Sequence, residues 1–245
     1  MFINLKKKIK KNKYILFILT RIVVKYNNSW IKLKFFSGSN KDIFFNIYKK
    51  NLWGSTHSIS GPGSNLEQTK TIRKDIPSIL YKYKIKSILD IPCGDFYWMK
   101  ELDLKNINYI GADIVKEIID KNNKEFRKIN INFKILDLTA DNLPSCDLIF
   151  CRDCLVHFSF KDIFLSLNNI KKTNANYFLT TNFVERIHNK NIATGSWRTL
   201  NLCKAPFYFP KPLLTITEKC TQGNNKYRDK SLSLYEVKSI PDFPI

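Results

Sequence analysis

Between Ser87 and Thr181 the chain alternates short runs rich in Ile, Leu, Phe and Tyr with polar stretches long enough for helices. The apolar runs fall at 87–91, 107–112, 131–136, 146–151 and 176–181, and the helix-compatible stretches at 97–104, 115–127 and 161–172. Strands that alternate with helices predict a parallel sheet with right-handed crossovers. The rhythm then changes: "LLTITEK" (213–219) and "SLSLYEV" (231–237) have only a polar turn region between them and are expected to pair antiparallel. Ahead of the repeat, the Gly/Ser/Pro stretch 54–64 reads as loop. A helix is expected from Leu66 to Tyr83, with Pro77 as a break or kink. At 245 residues and 44% hydrophobic, the chain can bury one sizeable core but not two.

The acidic residues sit where a doubly wound sheet binds ligands, at the carboxyl ends of its strands. Asp90, Asp113 and Asp137 each close one of the first three predicted strands. Asp113 lies 23 residues after Asp90, close to the ~20 expected between a glycine loop and a ribose-binding acid. The loop itself, "DIPCGDFYWM", keeps Gly94 but has Pro92 and Phe96 where nucleotide loops usually have glycine. It is neither a dinucleotide fingerprint nor a P-loop. A nucleoside cofactor without phosphates needs only one close approach of backbone, and one glycine supplies it.

Taken together, "LDIPCGD", "YIGADI", "ILDLT" and "DLIFCRDCLVHFS" resemble the class I S-adenosylmethionine-dependent methyltransferases. They are similar in particular to a bacterial branch in which "SGPGS", "LDIPCGD" and "RDCLVH" occur together. The resemblance covers residues 50 to 238. It implies an α/β, Rossmann-like doubly wound sheet of seven strands in the order 3-2-1-4-5-7-6, with only strand 7 antiparallel. It implies S-adenosyl-L-methionine as cofactor, with Asp90, Pro92 and Gly94 along its methionine end, Asp113 and Ile114 at the ribose, and Asp137 and Leu138 at the adenine. Ser64, in "SISGPGS", is implied at the cofactor carboxylate. Arg152 and Asp153 are implied at the reacting methyl and the acceptor.

For the acceptor, the chain offers the long polar stretch "TNFVERIHNKNIATGSWRTLN" (181–201). Asn182, Arg198 and Asn201 suit a sugar or phosphorylated ligand, and Trp197 suits stacking on a sugar ring. "APFYFP" (205–210) reads as an apolar plug over the site. Arg152 offers a fork to an anionic or polyhydroxyl acceptor. Asp153 and His157 are the candidate bases, with His157 equally readable as a packed structural residue. The reading is a methyltransferase acting on oxygen of a small or carbohydrate-type acceptor, and the branch points to surface-polysaccharide biosynthesis. The rivals are a nucleic-acid or protein methyltransferase and a non-catalytic S-adenosylmethionine-binding module. Against nucleic acid, "CRDC" is not the D/N-P-P-Y/F motif of amino-methylating enzymes.

The formal charge of +20 is unevenly placed: residues 1–50 carry 13 Lys/Arg and a single acid, Asp42. This segment is expected to form a basic helical extension preceding a methyltransferase domain at 51–245. Its apolar run is too short to span a bilayer and lacks a cleavage site. Either it packs on the domain, or its lysines meet anionic lipid. The expected location is cytoplasmic, with peripheral contact at the inner face of the membrane. The six cysteines read as reduced thiols. "CRDC" has no second ligand pair for zinc, so no metal is expected.

Overall fold

The computed structural model describes residues 38–244, which form one compact unit from Ser39 onward. The expectations for the basic stretch ahead of Gly38, including contact with anionic membrane, lie outside the described residues. Residues 39–50, the end of the expected extension, pack on the body. Ser39 and Asp42 form a capping box at the start of α1 (Asn40–Lys49). Helix α1 buries Ile43 and Ile47 and lays Phe44 against Phe158. Among the described residues no helix is long and apolar enough to cross a membrane.

The sheet has seven strands: β1 (Ser87–Asp90), β2 (Asn108–Asp113), β3 (Ile131–Ile135), β4 (Leu148–Cys151), β5 (Tyr177–Phe183), β6 (Leu214–Thr217) and β7 (Lys230–Glu236). Their order is β3-β2-β1-β4-β5-β7-β6. Strand β7 runs antiparallel to both β5 and β6, and the other pairings are parallel. Strand β4 shows how the core is divided. Leu148 and Phe150 enter the apolar cluster on one face, and Ile149 and Cys151 enter the cluster on the other. Both faces of a central strand are therefore buried, and it reads as a continuous apolar run.

The helices cover both faces. Helix α2 (Lys70–Lys82) buries Ile72, Ile76, Ile79 and Leu80 on one face, and α4 (Phe160–Lys171) buries Ile163, Leu167 and Ile170 on the other. Helix α2 begins four residues later than expected and runs through Pro77. A proline inside a helix costs about 3 kcal/mol. Four buried aliphatic side chains at ~1.5–3 kcal/mol each outweigh it. Between β2 and β3 lies α3 (Lys116–Phe126).

The helix expected at 97–104 is only a 3₁₀ turn at Met99–Glu101. Trp98, Met99, Leu102 and Leu104 are all buried. Lys100, Glu101 and Asp103 between them are exposed, so the segment keeps a solvent face while its helix is cut to a single turn. The plug expected at 205–210 is core as well. Phe207 and Phe209 join the cluster with Phe243 and do not line the site, while Tyr208 is exposed.

Candidate active site

A single cavity opens at the carboxyl ends of β1 to β4. Its empty space, open mouth included, is about 1060 Å³. Asp90, Pro92, Gly94, Asp113, Ile114, Asp137, Leu138 and Ser64 all line it, as do Arg152, Asp153 and His157. The sequence motifs scattered between residues 64 and 157 are thus walls of one chamber.

The loop after β1 turns sharply. Cys93 N–H donates to the Ala112 carbonyl at 2.7 Å, and Gly94 N–H donates to Asp113 Oδ2 at 3.3 Å. Gly94 has φ +52°, and a Cβ there would run into Ser60 Oγ. Glycine is required on both counts. Phe96, the unexpected residue, also has positive φ and is buried. Its ring lies 5.1–5.5 Å from those of Tyr109, Phe133 and Phe126. This aromatic packing holds a conformation that glycine would otherwise supply.

Asp95 was not anticipated, yet it joins two motifs. Its carboxylate accepts from Ser58 Oγ (2.8 Å), Ile59 N–H (3.0 Å) and Ser60 Oγ (3.2 Å). It therefore pins the "SISGPGS" loop against the loop after β1.

The donor-side acids have few partners. Burial pushes the Asp113 carboxyl up to about 6, although Val115 N–H and Gly94 N–H donate to it. Burial pushes Asp90 up to about 8, against the opposing Tyr109 hydroxyl. Asp137 lines the chamber from the edge of a turn, with its Oδ1 accepting from Thr139 N–H and Oγ.

Beyond β4 the electrostatics reverse. Arg152 Nε and Nη2 donate to Glu218 at 3.2 and 2.6 Å, Nη2 also donates to the Gly63 carbonyl, and Nη1 lies 3.2 Å from Asp153. Lys230, at the start of β7, bonds Asp153 at 2.6 Å and lies 3.4 Å from Glu218. The four charges cancel. Every Arg152 nitrogen is engaged and its side chain is 4% exposed, so the expected fork toward an acceptor is closed. Lys230 and Arg152 outweigh burial and hold the Asp153 carboxyl well below the usual carboxylate range. The two partners make Asp153 a poor base. Glu218 and Lys230 carry no motif in the sequence; only the sheet order brings them beside β4.

His157 sits in the 3₁₀ turn Leu155–His157. Its Nδ1 lies 2.9 Å from the Ser196 carbonyl. A carbonyl can only accept, so Nδ1 carries the proton and Nε2 the lone pair. Burial lowers its pKa and keeps the ring neutral. The Trp53 ring lies 5.0 Å away and, with Phe44 and Tyr48 of α1, forms an aromatic wall that the sequence reading missed.

The four expected acceptor contacts do not reach the chamber. Arg198 donates to the carbonyls of Lys190, Leu155 and Phe158. Asn201 bonds Val184, Arg186 and Cys203, and Asn182 bonds Ser233, Tyr235 and Leu202. Trp197 stands edge-on to Tyr227 and Phe183. The Asn182 amide ties β5 to β7, and the hydrogen bonds of Arg198 and Asn201 shape 184–202. That segment in turn supports the His157 turn through Ser196 and Arg198. Among the described residues, no three His, Cys, Asp or Glu are placed to hold a metal ion, and all six cysteines are free thiols.

Residues 88–174 match the family model described as a methyltransferase domain. The match runs from β1 past the end of α4, the part of the chain that builds the donor side of the chamber. Among solved structures, the protein is similar to Haemonchus contortus phosphoethanolamine N-methyltransferase 1 in complex with phosphoethanolamine and S-adenosylhomocysteine. That similarity has 15% identity and a TM-score of 0.56, covering 80% of this chain and 48% of that one. It is similar also to the PH0226 protein of Pyrococcus horikoshii, at 15% identity and a TM-score of 0.52, over 77% and 98% of the two chains. The methyltransferase domain of a bacterial CtHen1 is more distant, at 11% identity and a TM-score of 0.42, over 47% of this chain and 66% of that one. The chain therefore spans only about half to two thirds of the length of several of these structures. A search of curated proteins finds no match. The seven-stranded fold is that of the class I methyltransferases.

Proposed function

We propose that the protein is an S-adenosylmethionine-dependent methyltransferase that methylates a hydroxyl of a neutral, small or carbohydrate-type acceptor. The observation that carries this reading is the division of one chamber into two ends. At the donor end, Asp90 and Asp113 are buried beside a glycine turn and, among the described residues, neither is in a salt bridge. At the other end stand a neutral histidine and an aromatic wall. The donor end fits the cofactor's chemistry: Asp113 can accept from ribose hydroxyls, Leu138 and Ile114 offer apolar surface to a base, and Gly94 allows close backbone approach. When bound, the cofactor supplies a methyl group already activated as a sulfonium.

The protein's remaining work is alignment, exclusion of water and removal of a proton. His157 Nε2 is the group suited to take the hydroxyl proton, with Nδ1–H held by Ser196 and the ring backed by Trp53. Asp153, whose side chain is 25% exposed, can orient a hydroxyl by accepting a hydrogen bond. Among the described residues no uncommitted cation lines the chamber, which favours a neutral acceptor over a phosphorylated one.

The test is methyl transfer from labelled S-adenosylmethionine to a panel of neutral glycosides and their phosphorylated counterparts. Transfer is expected to the neutral set. Its rate should fall as pH drops through a value below the ordinary 6.5 of histidine, because only neutral His157 can accept the proton. His157→Gln should lower turnover by about 10²–10⁴ with unchanged affinity for S-adenosylhomocysteine. Full turnover in that variant, or no binding of S-adenosylhomocysteine by the natural protein, would overturn the reading.

A further inference from the structure

Tyr109 opens "YIGADI", yet no role has been given to it; it is a fully buried side chain of β2 whose hydroxyl reaches Asp90. It donates to Asp90 Oδ2 at 2.5 Å. Among the described residues nothing donates to Asp90 Oδ1, and Asp90 lines the chamber. Register explains the reach. Asp90 pairs with Gly111, so Tyr109 lies two residues back on the same face. Gly111 leaves the space between them free of a side chain, and Phe133 closes over it. The tyrosine ring is held by Phe96 and Phe133 at 5.1 and 6.1 Å.

We propose that Tyr109 is a positioning residue for the donor end: its hydroxyl anchors Oδ2 of Asp90 and leaves Oδ1 facing the chamber, where it pairs with the cofactor's α-ammonium group. The inference rests on the cofactor reading above and adds to it the group that orients Asp90. A carboxylate rotates readily about its last bond, since that torsion is broad. One short, charge-assisted hydrogen bond to a packed phenol removes that freedom. The groups facing Asp90 are Tyr109 and Asp113 from β2, Cys93 from its own loop and Arg152 from the end of β4. Burial raises the Asp90 carboxyl and Asp113 adds to the rise, whereas Tyr109 and Arg152 oppose it; Cys93, pushed up by burial, stays a neutral thiol. Pairing with an ammonium requires the carboxylate, so binding near neutrality releases a proton to solvent.

Calorimetric titration of the full chain with S-adenosylhomocysteine and with 5′-methylthioadenosine, which lacks the amino-acid end, tests this. In the natural protein, affinity for S-adenosylhomocysteine should rise with pH and level off near 8, with proton release at pH 7, whereas 5′-methylthioadenosine should show no such rise. Tyr109→Phe removes a donor that favours the ionised carboxyl. The break should therefore move to higher pH, and affinity for S-adenosylhomocysteine at pH 7 should fall by about tenfold. Affinity for 5′-methylthioadenosine should stay the same. An unchanged profile in Tyr109→Phe, or equal loss of both ligands, would overturn the positioning role. Natural protein that binds 5′-methylthioadenosine but gains nothing from the amino-acid end would overturn the ammonium site alone. If it binds neither ligand, the cofactor reading itself falls.

Discussion

Asp90 and Asp153 both stand at or just past the end of a central strand, line the same chamber and carry the same carboxyl group, yet their electrostatic situations are opposite. Asp90 is buried beside a phenol and a second acid, and its carboxyl rises to about 8. Asp153 lies against Lys230 and Arg152, and its carboxyl is driven down. The difference separates an acid whose charge is left unpaired within the described fold from one whose charge is met. A buried acid without a cation costs stability until a ligand supplies the missing donor or charge. A buried acid inside a neutral quartet is complete without any ligand and ties β4, β6 and β7 together. The strand-end position is common to both, and only the partners assign the role.

The contrast breaks most directly at Glu218. Removing it strands Arg152 and Lys230 with Asp153 alone, and breaking a buried pair costs about 3–5 kcal/mol. Glu218→Ala should lower Tm by on the order of 10 °C. A shift within experimental scatter in a thermal melt would mean that the quartet is not structural. Asp113→Ala should behave in the opposite sense. It should weaken binding of S-adenosylhomocysteine by roughly 1.5–3 kcal/mol in a calorimetric titration, with only a small change in Tm. Large destabilisation with intact affinity would place Asp113 among the structural acids.

Asp90→Asn sharpens the comparison through pH. The folded carboxyl titrates near 8 and the unfolded one near 3.8, so the folded state holds the extra proton between these values. Stability should therefore fall as pH rises from about 4 to 8 and level off above. The amide cannot ionise, and Asp90→Asn should remove the part of that slope that lies above pH 6 and raise Tm by a few degrees at pH 8. Asp113, raised to about 6, keeps its own contribution below that pH. Identical melting profiles from pH 6 to 9 would show that Asp90 is not held protonated in the fold.

The alternation of apolar strands with polar helices was enough to predict the sheet, its order through the resemblance, and the antiparallel β7, because period and chain direction are local properties written into consecutive residues. The acids at the strand ends were legible for the same reason. Three features were not. The segment 97–104 reads as a helix, and only the structure shows it cut to one turn at Met99–Glu101. The 181–201 segment has polar residues fit for a sugar, but Arg198 and Asn201 donate to backbone carbonyls and Asn182 to the hydroxyls of Ser233 and Tyr235, because a buried loop must satisfy its own polar groups. Glu218 and Lys230 sit far along the chain from Arg152 and Asp153, in strands with no motif, and meet them only because β7 inserts between β5 and β6. The sequence by itself determined the strand rhythm, the glycine turn and the acids at the strand ends. The tertiary structure alone decided which carboxyls are compensated, which histidine nitrogen is free and which polar residues face inward. Those outcomes depend on burial and on charges brought together across the sheet, and neither is encoded in neighbouring residues.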